Sequence, residues 1–223
     1  MEHKNPGLLE QLRFRALKLV YDVLSVFMQR DKSWQQPLFA SLDPKPGTRI
    51  LTFGPGSASI AIALALQFPG VSVIGADPNP KSVTKAQQRT ARRRIPNVSI
   101  VEGPLQRRLP FGAGTFDQVI SLLSFHDLPP DGKIGLAKEA LRVLRKGGAL
   151  LVADYDKPAA SGEATVLRLA NYISGPAATE SHIDGRWIQF IARVGFTDVQ
   201  RRSSQSIRIG RISVIRARKQ PSR

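Results

Sequence analysis

Apolar residues recur at three- and four-residue steps through Leu9, Leu12, Leu17, Val20, Val23, Leu24 and Phe27, which predicts a helix over Leu8 to Arg30. Asp43-Pro44-Lys45-Pro46-Gly47 reads as a turn-rich entry to the next segment. From there short apolar runs alternate with helical stretches. Strands are predicted at Arg49–Phe53, Val71–Ala76, Val98–Val101, Phe116–Leu122 and Ala149–Ala153. Helices are predicted at Ser57–Gln67, Pro80–Arg94 and Asp131–Leu144, the last stopped by Lys146-Gly147-Gly148. This alternation implies a parallel sheet covered on both faces. Residues 157–181 break the rhythm and read as an insertion over the strand ends, with a helical piece over Glu163–Ile173 and a stop at Ser174-Gly175-Pro176. A helix over Ile183–Val194 and two closing strands, Phe196–Arg201 and Arg211–Ala217, complete the pattern. Two regions result: residues 1–46 as a helical extension or lid, and residues 47–223 as one α/β domain.

Composition narrows the chemistry. The chain of 223 residues has no cysteine, so disulfides, thiolate metal sites and cysteine nucleophiles are excluded, and three histidines leave little for a metal cluster. We expect no metal. The apolar stretch Leu17–Met28 is too short to span a bilayer and contains Lys18 and Asp22. No signal-peptide pattern is visible, and the expectation is a cytoplasmic protein. The charge is lopsided: 33 Lys and Arg against 17 Asp and Glu, a formal net charge of +16. Such a field attracts polyanions, either an anionic membrane surface or nucleic acid. Lys81, Lys85, Arg89, Arg92 and Arg93 share one helical face, and the first helix mixes basic residues with a broad apolar face.

The first strand runs into Gly54-Pro55-Gly56-Ser57-Ala58-Ser59 and then a helix. That geometry exposes backbone N–H groups to a nucleotide-like ligand, although a glycine pair before a helix also serves as a plain tight turn. Asp77 stands at the offset of a carboxylate that accepts ribose hydroxyls. Ser59 replaces the third small residue of the dinucleotide fingerprint, and the phosphate-loop lysine is absent, so a ligand without a pyrophosphate fits better.

Downstream, Leu109-Pro110-Phe111, Phe116-Asp117-Gln118-Val119-Ile120-Ser121, His126-Asp127-Leu128-Pro129 and the run Glu139 to Gly148 resemble the middle of class I S-adenosylmethionine (SAM) methyltransferases. Within the class the pattern is most similar to the ubiquinone/menaquinone C-methyltransferase-like group and related phospholipid and small-molecule enzymes. The resemblance covers roughly Pro46 to Asp154. It implies a Rossmann-like fold, a seven-stranded, mostly parallel sheet with an antiparallel last strand, preceded by the N-terminal helical extension. It implies SAM as cofactor, with contacts from Phe53, Gly54, Pro55, Gly56, Asp77, Pro78, Asn79, Leu105, Ser121 and Leu122. Tyr21, His126 and Tyr155 are expected on the acceptor side, with His126 either a general base or a pocket wall, and His182 and Asp184 within reach of the same mouth.

Three positions depart from the family's pattern. Thr52 stands where an acid precedes the glycine pair, Ala58 where a third glycine is usual, and Pro104 where an acid caps the adenine amino group. Each lost charge-assisted hydrogen bond removes roughly 1.5–3 kcal/mol from cofactor binding. The expected function is methyl transfer to a small lipophilic acceptor, a quinone-like molecule or phospholipid headgroup, with the basic surface placing the chain peripherally on a membrane. Two rivals stand beside it: an RNA methyltransferase, and a degenerate, non-catalytic binding protein. The Pro-Pro-aromatic motif of base N-methyltransferases is missing after the fourth strand, and aromatics are only 7% of residues, which disfavours base methylation.

Overall fold

The computed structural model describes residues 8–30, 33–54, 56–103, 108–207 and 210–221. Its elements are α1 (Leu8–Arg30), α2 (Gln35–Ala40), β1 (Arg49–Phe53), α3 (Ser57–Gln67), β2 (Ser72–Asp77), α4 (Pro80–Arg93), β3 (Val98–Glu102), β4 (Phe116–Leu122), α5 (Pro130–Val143), β5 (Leu144–Tyr155), α6 (Thr165–Ser174), α7 (Pro176–Ile183), α8 (Gln189–Arg193), β6 (Phe196–Ile207) and β7 (Gly210–Lys219). Seven strands form one sheet in the order β3-β2-β1-β4-β5-β7-β6. Pairings from β3 through β5 are parallel, and β7 runs antiparallel to both β5 and β6. The strand order reverses between β1 and β4, where such sheets open a ligand crevice at their carboxyl ends.

Strand periodicity divides the core. Ile50, Ile120, Leu151 and Val214 face one cluster with α3, α4 and α6, whereas Leu51, Val119, Leu150 and Ile215 face another with α5 and α8. Both faces are buried, which is why the central strands read as continuous apolar runs instead of alternating ones.

Two predicted elements change. The helix expected over Ile183–Val194 is broken: Gly185 adopts φ 83°, a 3₁₀ turn follows at Arg186–Ile188, and α8 holds only Gln189–Arg193. Ser174-Gly175-Pro176, read as a stop, is also a start, because Pro176 occupies the first turn of α7, where its missing N–H costs nothing. The strands β5 and β6 also outrun their expected bounds: β5 starts at Leu144, which pairs with Phe116 of β4 ahead of a register shift, and runs on to Tyr155 along β7, while β6 follows β7 to Ile207.

Candidate active site

At the end of β1, Gly54 and Gly56 take φ 111° and 80°. A side chain at Gly54 would collide with the Leu122 carbonyl and the Ser124 hydroxyl, so the β4 end lies directly against this turn. The turn is laced internally: the Thr52 hydroxyl donates to the Ser57 carbonyl (3.1 Å), and the Ser57 hydroxyl donates to the Ala76 carbonyl (2.8 Å). Thr52, fully buried, thus spends its hydroxyl on the turn itself. Ala58 is buried at the start of α3, where that helix closes on Gly75 of β2, so its methyl group serves helix–sheet packing.

Asp77 sits at the tip of β2. Its carboxylate accepts from the Gly56 N–H (3.1 Å) and the Asn79 N–H (2.9 Å). Burial raises its pKa, and the N–H donors of Asn79, Gly56 and Ala58 reverse this only in part. These N–H groups do not exhaust the carboxylate's acceptor capacity, so it has spare lone pairs. Asn79 caps α4 through bonds from the Lys81 and Ser82 N–H groups, which commits its side chain; Pro78 is half-buried beside it. Phe53 and Ser121 are paired across β1 and β4, both buried with Leu122, and the Ser121 hydroxyl has no hydrogen-bond partner among the described residues. Pro55, Pro104 and Leu105 lie outside the described residues.

Beyond β4 the chain turns sharply. Leu123 adopts φ 44°, a strained conformation for a branched side chain, and swings Ser124, Phe125 and His126 back over the strand ends. The buried Asp154, at the end of β5, receives them: its carboxylate accepts from the N–H of Ser124 (2.9 Å), Phe125 (2.7 Å) and Tyr155 (2.8 Å). His126 Nδ1 lies 2.7 Å from Asp154 Oδ1, so Nδ1–H is the donor and Nε2 faces the other way. There it meets the Tyr21 hydroxyl at 2.7 Å, brought from α1 across the mouth. Tyr21 also reaches Asp127, 3.2 Å from each oxygen, and the Ser174 hydroxyl at the end of α6 donates to the same carboxylate (3.0 Å).

Charge follows this geometry. Burial alone would lower the His126 pKa, but the carboxylates of Asp127 and Asp154 outweigh it and raise the value above the ordinary one. For Asp154, burial acts upward and His126 downward, with the outcome at about 2. Burial, then Asp127, pushes the Tyr21 hydroxyl far above its ordinary pKa, so Tyr21 stays neutral. Tyr155 stands edge-on to His126, ring centroids 4.6 Å apart, and its buried hydroxyl has no partner among the described residues.

Behind His126 stands a wall of which the sequence reading named His182 but not Lys133. Lys133 is fully buried and donates to the carbonyls of Leu128 and Ala178 (2.6 Å for the second), tying the loop after β4 to α7. Burial lowers its pKa to about 8. His182, also fully buried, donates from Nδ1 to the Tyr155 carbonyl (2.6 Å) and stacks on Trp187 at 4.8 Å. Burial holds it neutral, with a pKa of about 3, so it offers an acceptor at Nε2 and no charge. Asp184 pairs instead with Arg186 (2.5 Å) on the surface and does not join the cluster.

Comparison with known proteins bears on the fold and the family. Residues 50–148 match the family described as a methyltransferase domain. The demethylmenaquinone methyltransferase of Beutenbergia cavernae is 34% identical over 144 residues, covering 65% of this chain and 55% of the relative. The ubiquinone/menaquinone biosynthesis C-methyltransferase UbiE of Agrobacterium fabrum is 28% identical over 166 residues, covering 70% and 61%. The chain spans little more than half the length of the Beutenbergia relative and about three-fifths of the Agrobacterium one. Among solved structures, PigF with SAH superposes with a TM-score of 0.66 at 16% identity, over 97% of this chain and 63% of that one. A putative sarcosine dimethylglycine methyltransferase from Galdieria sulphuraria gives 0.65 at 15% identity, over 86% of each. Residues 50–148 thus match a methyltransferase domain in sequence, the chain shares its fold with solved methyltransferases, and in sequence it resembles the ubiquinone/menaquinone C-methyltransferase group.

Proposed function

We propose that this protein transfers a methyl group from SAM to a small, lipophilic, hydroxyl-bearing ring of the quinol type. The observation that carries the reading is the His126–Asp154 pair, standing at the carboxyl edge of the same sheet as the glycine turn and Asp77. The named relatives support the acceptor class.

The residues present fit the cofactor. Asp77 accepts from the Gly56 and Asn79 N–H groups and keeps lone pairs to spare, and two ribose hydroxyls are donors of the right kind. Ser121 offers an unpaired buried hydroxyl at the crevice. Phe53, Gly54 and Gly56 give the close backbone approach, while Thr52 and Ala58 serve the turn and its packing. SAM, when bound, supplies a methyl group on a positively charged sulfur that leaves without needing a proton.

His126 then takes the proton from the acceptor's hydroxyl, which makes the ring or its oxygen nucleophilic. Asp154 fixes the imidazole so that Nε2 is the working nitrogen, and it steadies the cation once the proton has arrived. Tyr155 and the neutral His182 pack their rings against His126, at 4.6 and 6.2 Å between centroids, and wall this proton-transfer site. Residues 1–46 act as the lid through Tyr21, which must release Nε2 before an acceptor can use it. The high net charge supports a peripheral position on an anionic membrane, where a lipophilic acceptor resides.

Calorimetry with SAM, followed by transfer of labelled methyl to hydroquinone acceptors, tests the reading. We expect binding, and incorporation that rises with pH through the raised pKa of His126. A folded protein that takes up no SAM at millimolar concentration refutes it.

A further inference from the structure

The helix α1 has two apolar faces. Tyr21 is buried, and Phe14 lies against Tyr172 of α6 with ring centroids 6.5 Å apart. These define the inner face. Leu12, Leu19, Val20 and Val23 remain 52%, 64%, 49% and 47% exposed. At 3.6 residues per turn they fall, with Ala16, inside an arc of about 100° on the opposite side. Arg13 borders this stripe on one edge and Arg15 on the other, both exposed. An exposed apolar stripe with a basic border marks an interaction surface.

We propose that the outer stripe of α1 docks on an anionic phospholipid surface, and that docking draws Tyr21 away from His126 and opens the site. The flanking arginines choose the occupant. A second copy laid on the stripe would bring Arg13 and Arg15 against their like, between chains of formal net charge +16. An anionic bilayer accepts the apolar stripe at the acyl boundary and both arginines at the headgroups. No described helix is long and apolar enough to cross a membrane, so the contact is lateral.

The coupling follows from one atom. His126 Nε2 is the nitrogen left for an acceptor, and the Tyr21 hydroxyl occupies it at 2.7 Å. Tyr21 belongs to the same helix as the stripe, so a shift of α1 toward lipid withdraws the latch and leaves Asp127 with its Ser174 bond alone of the two hydroxyl contacts. The site is thereby closed away from a membrane and open against one. This opening rests on the methyl-transfer reading of His126; the docking does not.

The test uses the full chain with vesicles of phosphatidylcholine alone or mixed with phosphatidylglycerol. We expect co-sedimentation with the mixed vesicles, weakened roughly tenfold in the double variant L19S/V23S. Both positions are exposed, so SAM binding by that variant should be unchanged. Amide hydrogen exchange should quicken at residues 124–128 when the wild type meets mixed vesicles, and in Tyr21→Phe without vesicles. Equal partition of wild type and L19S/V23S overturns the docking. A dimer that L19S/V23S abolishes, with no vesicle binding, assigns the stripe to a second copy and overturns it too. Docking with no change at residues 124–128 overturns the latch. Silence in the SAM calorimetry sinks the enzyme reading alone, because the vesicle measurements need no cofactor.

Discussion

Asp154→Asn probes the proposed base most directly. A carboxylate about 4 Å from an imidazolium favours it by about 4 kcal/mol at an effective dielectric near 20. Losing that charge lowers the proton affinity of His126 roughly a thousandfold. Burial, now opposed by Asp127 alone, should then push the His126 pKa down instead of up. The fold should survive, because an Asn oxygen can still accept from the Ser124 and Phe125 N–H groups. The assay is an NMR titration of the imidazole protons. His182 is held near 3 and stays silent through neutrality, which leaves His3 and His126, and the titration that vanishes in His126→Gln is the one that belongs to His126. Methyl transfer should fall by about 10²–10⁴ in Asp154→Asn, the usual worth of a positioned general base. A variant whose His126 titrates as in the wild type would show that Asp154 does not hold the imidazole, and the base assignment would fail with it.

Other substitutions read the rest of the site. Asp77→Asn should weaken SAM about tenfold to a hundredfold by calorimetry, the worth of a lost charge-assisted bond; unchanged affinity would place the ribose elsewhere. Gly54→Ala should cost at least about 2 kcal/mol in thermal unfolding, since the backbone is left-handed there and the added methyl meets the Leu122 carbonyl. A neutral cost would mean that β4 does not press on the turn. His182 makes the protein acid-sensitive: its folded pKa lies below the unfolded value, so stability falls as pH drops below about 6.5, by about 2 kcal/mol at pH 5. His182→Asn keeps a donor for the Tyr155 carbonyl and should flatten the urea-measured stability between pH 7 and 5 by that amount; parallel slopes would show that His182 is not held neutral.

The placement of the site owes as much to topology as to motif. Phe53 and Ser121 are 68 positions apart in the chain yet adjacent in register, because the sheet reverses its order between β1 and β4. Asp127 was visible beside His126 but had no assigned role, and Lys133, inside the predicted helix Asp131–Leu144, was not singled out. Nothing in the local pattern marks a lysine that will be clamped between two carbonyls from different elements.

What the chain's order of residues determined by itself was local. Short apolar runs and the helical stretches between them placed β1, α3 and β4 at their observed bounds, and the glycine turn with the acid after β2 put Gly54, Gly56 and Asp77 at the strand ends, because these depend on neighbours in sequence. Tertiary structure alone decided which polar groups lost water and which met. Tyr21 finds His126 across 105 positions, and His182 becomes neutral only because Trp187, Tyr155 and α7 enclose it. Desolvation and long-range pairing are properties of the packed surroundings, and no short window of sequence encodes them.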